Sequence, residues 1–122
     1  MSNNKSIKTL SAIVEKGSRK GTELGFPTTN IPLNDASLSG IYAGQVFFDG
    51  KNYLSALFAD QKRNLLEAHI LGFDGDLYGK KIVVTVFGKV RDSKDFDSAS
   101  ALRKAINDDI VSVRDYFKKN TS

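Results

Sequence analysis

Residues 17–30 read Gly-Ser-Arg-Lys-Gly-Thr-Glu-Leu-Gly-Phe-Pro-Thr-Thr-Asn, with Gly17, Gly21 and Gly25 each four residues apart. Glycines allow sharp bends and a close approach of the backbone to a ligand. Successive N–H groups exposed in this way can cradle an anion such as a phosphate. Arg19 and Lys20 add positive charge for the same ligand. Thr28 and Asn30 carry neutral oxygens, which a hard Mg²⁺ ion accepts beside substrate phosphates. Pro27 fixes φ just ahead of them. The same residues would also suit an ordinary polar surface turn. The string is not a P-loop, because Thr22 follows Gly21 with no intervening Lys. It is not a dinucleotide fingerprint either, because Pro27 and Pro32 stand where a helix would begin.

Glu67 and His69 form a second constellation in Leu65-Leu-Glu-Ala-His-Ile-Leu71. On a strand, residues two apart share a face. A carboxylate flanked by Leu66 and Ala68 is open to partial desolvation, which raises its pKa and makes it a better base near neutrality. A solvent-facing strand half explains the pattern equally well. One His beside one Glu is too little for a zinc site.

These residues need a scaffold, and the hydrophobic pattern supplies one. Strands are expected at Leu10–Glu15, Ile41–Phe48, Tyr53–Phe58, Leu65–Phe73 and Lys81–Val90, with Asp49-Gly50 as a two-residue hairpin turn; Asn30-Ile-Pro-Leu33 follows the glycine loop. Ala59–Asn64 reads as a charged loop. Ile82, Val84, Val86 and Val90 are expected on one side of the last strand, and Val83, Thr85 and Phe87 on the other. Two apolar faces suit a small barrel with something packed outside it. From Ser98 to Phe117, apolar residues at Leu102, Ile106, Ile110, Val113 and Phe117 mark one helical face, with Asp97 or Ser98 as N-cap. Arg103, Lys104, Asp108, Ser112 and Asp115 are expected on the face toward water.

The expected fold is therefore a single antiparallel β-barrel with one long C-terminal helix. A chain of 122 residues suits one domain, with residues 1–8 polar and disordered. The absence of cysteine excludes disulfides, thiolate metal sites and cysteine nucleophiles. The net charge of +4 is scattered rather than gathered in a stripe, so no nucleic acid is expected as a partner. No apolar run reaches a membrane span and the start lacks a signal-peptide core, so a cytoplasmic protein without a membrane partner is expected.

Four segments in order resemble the riboflavin kinase family: Gly17-x3-Gly21-x2-Leu-Gly-Phe-Pro-Thr-Thr-Asn-Ile31; Ser39-Gly-Ile-Tyr-Ala43; Leu66-Glu-Ala-His-Ile-Leu71 with Phe73-Asp-Gly-Asp-Leu-Tyr-Gly-Lys80; and Val90-Arg91 with Lys94-Asp-Phe96 and the helix. The resemblance covers about residues 10–117. It implies a six-stranded barrel of the riboflavin kinase type and transfer of the ATP γ-phosphate to the 5′-hydroxyl of riboflavin, giving FMN. It also implies roles by position. Thr28 and Asn30 would handle Mg²⁺ and phosphates. Gly17, Lys20, Gly21 and Gly25 would cover the nucleotide, with Tyr78 near it. Glu67 would be the base, and Arg91 and Phe96 would lie near the flavin. The partners implied are riboflavin and ATP, and a monomer is expected. The adenylyltransferase domain fused to this module in many bacteria is absent from these residues, so FAD synthesis is not implied.

Two departures from the family stand out. Ala56–Leu66 lacks the Asn-x-Gly-x-x-Pro-Thr turn, and Thr22 replaces an Arg. The first predicts a looser loop, an altered acceptor pocket and weaker riboflavin binding. The alternative reading is a flavin- or nucleotide-binding module of the same fold with impaired catalysis.

Overall fold

The computed structural model describes residues 5–16 and 25–119. Six strands follow one another: β1 (Lys8–Ile13), β2 (Thr29–Pro32), β3 (Gly40–Phe48), β4 (Lys51–Asp60), β5 (Leu65–Ile70) and β6 (Lys81–Arg91). Among the described residues one helix, α1 (Ala99–Lys119), follows the strands. The sheet order is β1-β6-β3-β4-β5-β2, and each of these neighbours is antiparallel. The outer two strands meet where the Glu15 N–H donates to the Asn30 carbonyl at 2.7 Å. That bridge brings the sheet round into a nearly closed barrel, as the two-sided apolar pattern predicts.

Alternation along each strand sends one set of side chains inward. Ile31, Val46, Leu57, Leu66, Ile82, Val84 and Val86 fill the interior. A second, smaller core lies outside the barrel under α1, made of Ala43, Ala56, Leu71, Phe87, Val113 and Phe117. Ala43 and Ala56 are cross-strand partners. Their short side chains let the helix sit close, and the Phe117 ring meets Phe87 edge-on at 5.1 Å. Ser98 is the N-cap, its Oγ accepting the Ala101 N–H at 3.1 Å. Lys118 and Lys119 occupy the last turn, where the helix dipole favours cations.

Val90 belongs with the helix-facing cluster, not with Ile82, Val84 and Val86. The β3–β6 register slips twice, between Ile41 and Tyr42 and between Tyr42 and Gly44. Both extra residues fall on β6, and the one between Val86 and Lys89 reverses the side-chain alternation ahead of Val90. At residues 7 and 8 the chain is more ordered than expected. Lys8 opens β1, the Ile7 N–H donates to Val86 O at 2.7 Å, and Lys8 pairs with Asp35 at 2.6 Å.

The stretch expected to be loose is held tightly. Residues 56–60 continue β4, and only residues 61–64 turn. Asp60 Oδ1 accepts the N–H groups of Lys62 and Arg63, and Asn64 adopts φ 56. Gln61 Nε2 donates to Asp35 O at 2.7 Å, and the Leu33 N–H donates to Asn64 O at 2.8 Å. Aspartate capping holds the turn without Gly or Pro.

Asp49 and Gly50 both have positive φ, as a type I′ hairpin requires. Gly40 has φ +93, and a Cβ there would lie 2.6 Å from the Arg91 carbonyl oxygen. Backbone does not swing aside as a side chain does. Gly40→Ala should therefore destabilise the protein by about 1–3 kcal/mol, read as a fall in the urea midpoint. Gly50→Ala, with open space around its Cβ, should lose less.

Candidate active site

Asn30 on β2 lies directly opposite Glu67 on β5. Asn30 is 4% exposed, and among the described residues its Oδ1 is the buried side-chain polar atom without a hydrogen-bond partner. Leaving a buried acceptor unpaired costs about 1–3 kcal/mol. Glu67 is half-buried. Burial pushes its carboxyl above the ordinary carboxylate value; the nearby Arg63 charge opposes the shift and Asp60 adds to it. Glu67 also lies across from Phe58 on β4. The pair therefore combines an unsatisfied oxygen with a carboxyl whose proton affinity is raised.

Two clefts are lined by residues close to this pair. The first, of about 440 Å³, is lined by Gly25, Pro27, His69, Phe73, Ile110 and Arg114, among others. The second, of about 320 Å³, is lined by Ile13, Val14, Glu15, Lys16, Tyr78 and Gly79. Glu15 is bridged to Asn30, and His69 lies two residues beyond Glu67 on the same strand face. In the second cleft, Lys16 Nζ stands 5.4 Å from the centre of the exposed Tyr78 ring.

Gly25 lines the first cleft, with His69, rather than the second, with Tyr78. Gly17, Lys20 and Gly21 lie outside the described residues. Arg91 and Phe96 line neither cleft. Instead, Arg91 Nε and Nη2 donate to the two carboxylate oxygens of Asp109 at 2.7 and 2.8 Å, and Nη1 donates to Asp92 O. The Arg91 guanidinium lies 5.7 Å and Lys94 Nζ 5.4 Å from the centre of the Phe96 ring. These residues clip the β6–α1 connection to the helix.

Sequence reasoning missed Asp109, although the residue falls within the helical stripe that includes Val113. A carboxylate at that position, with a cation expected elsewhere on the barrel, is a legible sign of a buried ion pair. Ile110 was legible as apolar and Arg114 as charged, but nothing in the string shows that both reach a cleft beside His69. Among the described residues no group of three or more His, Asp or Glu could hold a metal. A Mg²⁺ held by neutral oxygens and substrate phosphates needs no such group. The bare Oδ1 of Asn30 fits that kind of site.

The sequence pattern of the family described as riboflavin kinase (Flavokinase) matches residues 5–117. The chain belongs to the riboflavin kinase family. It is 34% identical over 119 residues to a trifunctional protein, RibF/MnmA, of Mycoplasmoides gallisepticum, covering 90% of this chain and 18% of that protein. It is 33% identical over 115 residues to a bifunctional riboflavin kinase/FMN adenylyltransferase of Mycoplasma pneumoniae, covering 90% of this chain and 43% of the relative. The chain thus spans less than half the length of either relative. The crystal structure of riboflavin kinase from Trypanosoma brucei superposes with a TM-score of 0.66 at 27% identity, over 91% of this chain and 80% of that one. The six-stranded barrel with its terminal helix is thus a riboflavin kinase fold.

Two stability outcomes follow from this geometry. Arg91→Leu leaves the Asp109 carboxylate, 8% exposed, buried without its cation. Such a loss costs about 3–5 kcal/mol, and Arg91→Met combined with Asp109→Leu should recover most of it in urea unfolding. For Glu67 the sign is reversed. Because its pKa is higher in the folded than in the unfolded chain, stability falls as pH rises through the window above 4.5. Glu67→Gln should therefore melt at a higher temperature than the unaltered protein at pH 7, with the gain vanishing near pH 4.

Proposed function

We propose that this chain is a riboflavin kinase domain that transfers the γ-phosphate of ATP to the 5′-hydroxyl of riboflavin in a Mg²⁺-dependent reaction. The observation that carries the reading is the unpaired, buried Oδ1 of Asn30 directly opposite the half-buried Glu67. Family membership supplies the reaction class. Phosphoryl transfer asks little covalent chemistry of a protein: in-line positioning, positive charge on the phosphates and a group to take the hydroxyl proton.

Thr28 and Asn30 would hold Mg²⁺ with the nucleotide phosphates; when bound, the ion neutralises charge on the phosphoryl oxygens. Gly17, Lys20 and Gly21 would cover the phosphates. The nucleotide base would lie in the second cleft against Tyr78 and Lys16, and riboflavin in the first, between His69, Phe73 and α1. Glu67 takes the proton of the 5′-hydroxyl as that oxygen bonds to the γ-phosphorus. The bond to the β-phosphate oxygen breaks and ADP leaves. Gly25 would border the acceptor. Arg91 and Phe96 would shape the wall through Asp109 rather than touch the flavin.

The deciding experiment is incubation with riboflavin, ATP and Mg²⁺ and chromatography for FMN; an absence of FMN would sink the reading. Glu67→Gln should lower turnover by roughly 10²–10⁴-fold while Mg-ATP binding changes little. The rate of the unaltered protein should fall with decreasing pH along a limb lying above the ordinary carboxylate range, because Glu67 must be ionised to accept the proton. Thr28→Ala and Asn30→Ala should each weaken Mg-ATP binding in calorimetric titration. Affinity equal to the unaltered protein's in both would remove the segment from the metal site.

A further inference from the structure

We propose that His69 is a positioning residue that ties the wall of the first cleft to the Thr28–Asn30 segment through the carbonyl of Pro27. The inference rests on the kinase reading above, which makes that segment the holder of Mg²⁺ and phosphates. His69 Nδ1 lies 2.9 Å from Pro27 O, across 42 residues of sequence. A carbonyl only accepts, so Nδ1 carries the proton and donates. The Phe26 ring meets the imidazole edge-on at 5.5 Å, which fixes the orientation of the ring.

The position of the bond gives it leverage. The β2–β5 ladder begins at the Thr29–Ala68 pair. Pro27 and Thr28 therefore lie beyond the last rung, and the His69 side chain supplies the next tie between the two elements. The peptide joining Pro27 to Thr28 is planar. Holding its carbonyl oxygen sets the plane from which Thr28 departs, while the Pro27 ring sets φ on the other side. The same imidazole lines the cleft beside Phe73 and Arg114. A molecule seated there would press on the group that orients the metal-holding segment.

Titration of Mg-ATP, and of ATP without metal, into His69→Leu, His69→Asn and His69→Gln tests this role, with thermal melting as a check on folding. Removing one hydrogen bond corresponds to about a 3- to 10-fold loss. His69→Leu should show that loss for Mg-ATP and a smaller one for metal-free ATP, together with a raised KM for Mg-ATP in FMN formation. Asn places an amide N–H near the position of Nδ1 and should restore affinity, whereas Gln extends past it and should not. If the Leu variant does not fold, the Asn–Gln comparison alone decides. Equal Mg-ATP affinity in Asn and Gln, or unaltered affinity in a folded Leu variant, would overturn the role of His69 and leave the kinase reading standing. Failure of the unaltered chain to bind Mg-ATP would overturn the kinase reading and this role with it.

Discussion

Closure of the barrel at Glu15 and Asn30 is the constraint on which the site depends. One backbone bridge, from Glu15 just past the end of β1, joins that edge to β2, and Asn30 is the residue at that seam. Its main chain accepts from Glu15, its strand pairs with β5, and its side chain shares the Glu67 face. A strand held on both sides has no freedom to slide. A one-residue slip of β2 would send Asn30 into the interior and bring Ile31 out. Ile31 and Leu66, both buried among the interior side chains and paired with each other, make that slip costly. The hydrophobic core thus fixes the register, and the register places the polar pair.

The outer face of the same sheet solves a different problem. A barrel this small buries its inward residues alone, so its outward apolar residues need a cover. α1 provides it over Ala43, Ala56 and Phe87. The Arg91–Asp109 pair then sets where along its axis the helix docks. A bidentate guanidinium–carboxylate contact is directional, unlike apolar packing. The helix position in turn puts Ile110 and Arg114 on the cleft that His69 lines. The ion pair thus acts on the cleft through the helix, although neither partner touches it.

The site carries instability that the rest of the chain offsets. Asn30 buries an acceptor with no partner, and Glu67 is held in surroundings that disfavour its charge. Neither arrangement helps folding. Residues placed against local stability are expected where a ligand later completes the set, and such exceptions in an otherwise satisfied interior point to function. The 61–64 turn shows the opposite economy. Aspartate capping and a positive-φ Asn64 hold it without glycine or proline.

Strand periods, the Asp49-Gly50 turn and the helical stripe were legible in the string, because backbone geometry turns spacing directly into faces. The Gly-Phe-Pro-Thr-Thr-Asn and Leu-Glu-Ala-His segments were legible as candidate chemistry, although a polar turn and a solvent-facing strand half suit the same residues. Which strands neighbour each other was not legible. The pairing of Asn30 with Glu67, 37 residues apart, depends on long-range packing that no local pattern encodes. The same holds for Val90, whose face is reversed by a bulge seen only in the β3–β6 register. It holds for Arg91, whose charge looked free for a ligand until α1 brought Asp109 against it. Sequence determined which groups were available and which faces were apolar; tertiary structure decided which charges were already satisfied and which oxygen was left without a partner.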